Sequence, residues 1–141
     1  SPMTLEASEF DTRIATLVRV SNELLEIRYK PGTVFITEDV AEVQSMRRTI
    51  MGSAPYATLT IIPEDTDFSM ESMRTDHAGA DRSESQIIAT AIVAKSTLIE
   101  RLTNVYLNFF PQLQRMLVTD NEAEARAWME QQLKEIASTG S

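Results

Sequence analysis

The sequence predicts an α/β domain on a mixed, mostly parallel sheet of about five strands, and three observations carry that expectation. Strand-length apolar runs alternate with stretches of helical period, the pattern of a sheet crossed over by helices. Two of the runs, Tyr56–Ile62 and Ile87–Ala94, are apolar almost throughout, as strands covered on both faces are. The first two runs sit close together around Ser21 and Asn22, which suits a hairpin and adds an antiparallel edge.

The first strand spans Arg13–Val20, with Ile14, Val18 and Val20 read as one face around Thr16. The second sets Leu25, Ile27 and Tyr29 against Glu26, Arg28 and Lys30, a period of two with one charged side. Thr37 is the expected N-cap of a helix whose first turn holds Glu38 and Asp39. Val40, Val43, Met46 and Ile50 form its apolar stripe, Arg47 and Arg48 fall on the outer side, and Gly52 ends it. After the third strand, Phe68–Gly79 has weak helical period and Asp76–Gln86 reads as a polar loop. Following the strand at Ile87–Ala94, Thr97 and Glu100 make a capping box for a helix bearing Leu102, Val105 and Phe109, which Pro111 closes. Arg115–Val118 is a short last strand, and Asp120 is the expected cap of a helix striped by Ala125, Met129, Leu133 and Ile136 beside Trp128. The order is β-β-α-β-α-β-α-β-α. Trp128 is expected to be largely buried.

One domain accounts for the length of 141 residues. Residues 1–9 read as a flexible leader, 10–137 as the domain and 138–141 as a tail. With 13 Lys+Arg against 21 Asp+Glu the net charge is −8, which disfavours nucleic-acid backbones and anionic membranes. Cysteine is absent, so disulfide scaffolds and thiolate chemistry are excluded. No apolar run approaches ~18 residues, and a cytoplasmic protein is the expectation.

The C-terminal part, IIATAIVAKSTLIERLTNVYLNFF with Pro111 and RMLVTDNEAEARAWMEQQL, resembles a family of small bacterial proteins of unknown function. Those are similar to the STAS domain, the fold of the anti-sigma-factor antagonists. The likeness rests on Asn104, Phe109, Phe110, Thr119, Asp120, Glu122, Ala125, Trp128 and Met129, the last standing where the family has Leu. It covers about Arg13 to Leu133 and agrees with the leading hairpin. The resemblance implies a STAS-like fold and a non-enzymatic protein-interaction or regulatory module without a cofactor. In the antagonists a phosphorylated Ser follows the third strand within Asp-Ser-Ser-Gly. Here the place is held by Asp67-Phe68-Ser69-Met70, where Asp67 and Ser69 match and the other two do not. The likeness therefore marks Ser69 as a candidate phosphosite.

Simple chemistry weighs on the same residues. A helix start at Ser69 would offer free N–H groups to a phosphate, or to the Ser hydroxyl acting only as a cap. Glu64-Asp65-Thr66-Asp67 puts an acidic turn near the carboxyl ends of the strands, where α/β proteins bind ligands. Its Asp65 and Asp67 form a pair able to hold Mg²⁺, the basis of an alternative reading as a small-molecule or metal-dependent enzyme. His77 is the only histidine, so a His-based zinc site lacks ligands. The four glycines form neither a dinucleotide fingerprint nor a P-loop. Tyr106 and Phe110 exceed what one helix face buries against a sheet, and mark a surface for a protein partner or a second copy in a homodimer.

Overall fold

The computed structural model describes residues 8–63, 67–68, 87–95 and 115–138. Charged and apolar residues alternate along β3 (Leu24–Tyr29) as expected, with Leu25, Ile27 and Tyr29 buried beneath one face of the sheet. β3 pairs antiparallel with β2 (Ala15–Ser21) through a hairpin turning at Asn22 and Glu23, and β2 pairs antiparallel with β1 (Ser8–Asp11). β1 begins inside the stretch read as a leader. Its four residues carry only one large apolar side chain, Phe10, too little for a period to be seen.

β4 (Val34–Phe35) precedes helix α1 (Thr37–Met51). β5 (Tyr56–Ile61) is buried along its whole length and lies parallel to β3. β6 (Asp67–Phe68) pairs in parallel with β4 as a separate two-stranded ribbon. β7 (Ile87–Val93) and β8 (Met116–Thr119) add parallel strands, and helix α2 (Glu122–Ser138) follows. Among the described residues the main sheet thus has six strands in the order β1-β2-β3-β5-β7-β8, where about five were expected. The expected helix over Phe68–Gly79 does not include Phe68, which is in β6. The rest of that segment, the polar loop and the helix after Thr97 lie outside the described residues.

Two cores flank the sheet. On one face Leu17, Leu25, Ile27, Tyr56 and Ile92 pack with Val40, Val43 and Ile50 of α1. On the other, Ala57, Leu59, Ala89 and Ala91 pack with Ala125 and Met129 of α2. The many alanines on this second face let α2 sit close to the strands.

Several local readings are corrected. In β2 it is Ala15 and Leu17 that face the α1 core, while Val18 pairs with Glu26 on the α2 face and Val20 sits in a bulge, 45% exposed. β2 lies next to the edge strand β1, and its larger branched residues Val18 and Val20 are not on its core side, so hydrophobicity alone picks the wrong face there. Ile36, not Thr37, occupies the N-cap of α1 and gives no side-chain hydrogen bond. Gly52 does end α1, at φ +69°, donating its N–H to Arg48 O. Asn121 caps α2 in place of Asp120, which is exposed: Asn121 Oδ1 accepts the Glu124 N–H at 3.0 Å. Trp128 is half-buried, packed at the margin of the α2 core.

Candidate functional site

The carboxyl ends of β3, β5, β7 and β8 lie side by side, and the β4–β6 ribbon follows directly from two of them. β3 leads through Lys30 and Thr33, whose hydroxyl donates to Lys30 O at 2.9 Å. The ribbon brings Asp67 alongside Val34 in register, with Val34 51% and Ile36 38% exposed. Asp67 is the one residue of the acidic turn that the described structure places. It is in a strand, so the backbone at this point is extended rather than entering a helix.

At the same end, the start of α2 is locked to β8. Thr119 donates its hydroxyl to the Glu124 carboxylate and accepts the Asn121 N–H at 3.1 Å. One hydroxyl therefore stands between the N-cap Asn121 N–H and the third-position Glu124 carboxylate, relaying the bond that a capping box makes directly.

Beside that cap, four charges join β3 to α2. Glu26 accepts from Arg28 at 2.9 Å and from Arg126 at 2.7 Å, while Glu122 accepts from Arg126 at 2.9 Å and from Arg28 at 3.4 Å. Glu26 and Arg28 point to the α2 face because they alternate with the buried Leu25, Ile27 and Tyr29. Glu122 and Arg126 are one turn apart on the helix. The Arg126 hydrogen bond, helped by Arg28 and opposed by partial burial, holds the Glu122 carboxyl below its ordinary value. The Arg126 guanidinium loses some hydration there, yet its bonds to Glu122 and Glu26 raise its pKa overall. These carboxylates are matched by guanidiniums, so the ring is suited to recognition and clamping, and poorly suited to proton transfer.

Beyond the ring, the α2 face of β1 and β2 carries Glu9, Asp11, Thr16 and Val18. Lys30 Nζ reaches Asp11 at 2.9 Å from the strand end, and the Thr16 hydroxyl donates to Asp11 at 3.2 Å. Glu9 and Asp11 are exposed and Val18 is half-buried. Among the described residues no helix packs over this part of the face.

Sequence reasoning missed a buried polar row beneath α1. Arg47 was expected on the solvated side of the helix. It is 3% exposed, lying one turn from Val43 on the inner face. Its Nε donates to Gln44 Oε1 at 2.9 Å and its Nη1 to the Tyr56 hydroxyl. The Thr58 and Thr90 hydroxyls, 2.6 Å apart, continue the row across β5 and β7. The spacing Val40–Val43–Arg47 was the available signal, since an Arg on an apolar stripe needs a buried acceptor.

Asp65, Ser69, Tyr106 and Phe110 lie outside the described residues. Among the described residues no three His, Cys, Asp or Glu side chains gather as a metal site, and no helix is long and apolar enough to cross a membrane. No curated protein and no solved structure matches the chain. A family model does match residues 18–133, from β2 to the last third of α2, and the chain accordingly belongs to the DUF7793 family, a domain of unknown function.

Proposed function

We propose that this chain is a non-enzymatic, STAS-like protein-interaction or regulatory module. The observation that carries the reading is the uneven cover of the sheet among the described residues: α2 packs on β5, β7 and β8, while no described helix covers the α2 face of β1 and β2. A face with Val18 half-buried among Glu9, Asp11, Thr16 and a clamped ion ring is suited to binding a protein surface. The hairpin-first mixed sheet supports the STAS-like assignment, which is a likeness of fold and a weaker warrant for function. Tyr106 and Phe110 are proposed as a further partner surface, and Ser69 as the regulated position.

The competing reading is a metal-dependent enzyme using Asp65 and Asp67, and it is favoured only by the acidic turn's place after β5. Thermal melting with millimolar Mg²⁺, Mn²⁺ or Ca²⁺ separates the two, because a ligand of the native state raises its melting temperature. The module reading expects no shift. A rise with one of these ions, abolished in Asp65→Asn/Asp67→Asn, would replace it by the enzyme reading.

A further inference from the structure

The two edges of the six-stranded sheet are built differently. β1, at one edge, places Glu9 and Asp11 on the same face. A second β1 laid against it would bring these acids together, the usual way an edge is kept from pairing. β8, at the other edge, reads Met116-Leu117-Val118-Thr119 without a charge, each of the first three half-buried. Arg115 O and Thr119 O point inward, accepting the Thr90 and Ala94 N–H groups at 2.9 Å each. Backbone groups alternate in direction along a strand, so the N–H and C=O of Met116 and Val118 point outward. They bond to none of the described residues.

A second observation lies on α2. Glu124 bonds to Thr119, and Arg115 Nη1 donates to Gln132 at 2.5 Å and to Glu135 at 3.0 Å. Positions 124, 128, 132 and 135 share one flank at helical spacing, so that flank is the one turned toward β8. Trp128 is on it, half-buried and packed against the α2 core, leaving part of a large apolar ring for a further contact.

We propose that β8 is the edge through which two copies of this chain join, antiparallel, into one continuous sheet. A two-fold axis normal to the sheet keeps like faces together. Only Met116 and Val118 offer outward groups, so Met116 exchanges both bonds with Val118 of the second copy and Leu117 meets its equivalent on the axis. In that register Arg115 stands opposite Thr119 of the second copy, next to its Glu124. Two symmetric pairs of opposite charge result. Sliding the strands by two residues sets exposed Asp120 against Met116 and loses those pairs. Both α2 helices lie on one face beside the axis, where they cover both Trp128 side chains. This inference is independent of the module reading, since it rests on the β8 edge and that reading rests on the face of β1 and β2.

The chain has no cysteine, so an introduced one reports alone. Leu117→Cys places two sulfurs at a narrow antiparallel pair with Cα atoms about 4.5 Å apart, within disulfide range. Val118→Cys places them on a diagonal of about 7 Å or more. Under mild oxidation Leu117→Cys is expected to run as a covalent dimer and Val118→Cys as a monomer. In sedimentation the wild type is expected to be dimeric, and Val118→Pro, which deletes an outward N–H, monomeric with unchanged circular dichroism. A monomeric wild type overturns the proposal. So does a dimer that Leu117→Cys leaves uncross-linked, or one in which both cysteines cross-link equally; either result leaves the module reading standing.

Discussion

Arg126 of α2 reaches across to the Glu26 carboxylate on β3 at 2.7 Å, and the Glu26 side chain is only 12% exposed. This bond ties the start of the last helix to a strand a hundred residues earlier in the chain. Arg126→Ala leaves Glu26 with Arg28 alone. The arginine is 44% exposed, and solvent screens much of its attraction, so the expected loss is about 1 kcal/mol. Urea unfolding should show a lower midpoint at unchanged slope.

Acid should loosen the same ring. The Glu122 carboxyl, held by Arg126, has its folded pKa below the ordinary 4.5. A depressed carboxylate contributes stability that is fully present above its unfolded value and lost as pH falls through the folded one. Stability of the wild type should therefore drop more steeply than that of Glu122→Gln below about pH 4.5, and parallel curves in denaturant titrations would speak against the clamp.

The Arg47–Tyr56 bond beneath α1 predicts a larger effect. Arg47→Ala removes a buried guanidinium and strips the Tyr56 hydroxyl of a donor, at an expected cost of about 2–4 kcal/mol. Tyr56→Phe should cost about 1 kcal/mol. Equal melting temperatures for wild type and Arg47→Ala would place the side chain in solvent.

Thr58 and Thr90 form a hydroxyl pair across β5 and β7. Thr58→Val alone leaves the Thr90 hydroxyl buried without its partner and should cost about 1–2 kcal/mol. The double Thr58→Val/Thr90→Val should recover most of that, giving a coupling visible in a double-mutant cycle. Strictly additive losses would count against the pair.

How far the sequence foretold this structure varies by element. Leu25, Ile27 and Tyr29 were legible because one face of β3 is apolar and the other charged. The interior of β5 was legible because nothing along it is charged. β1 was not, having a single large apolar residue, and the wrong face of β2 was chosen because Val18 and Val20 outweigh Ala15 in hydrophobicity. Arg47 was misplaced by assigning charge to solvent without asking what Tyr56 offers. Of the candidate site, only Asp67 is placed by the described residues. The ion ring was invisible because Glu26 and Arg126 come together only through the fold.

The most direct measurement of the central claim is affinity capture from an extract of the source cells, with wild type and Val18→Glu, altered on the face of β1 and β2 that no described helix covers, compared at equal melting temperature. The module reading predicts a distinct protein retained in stoichiometric amount by the wild type and lost by Val18→Glu. No protein retained above background, or the same protein retained equally by both, would contradict it.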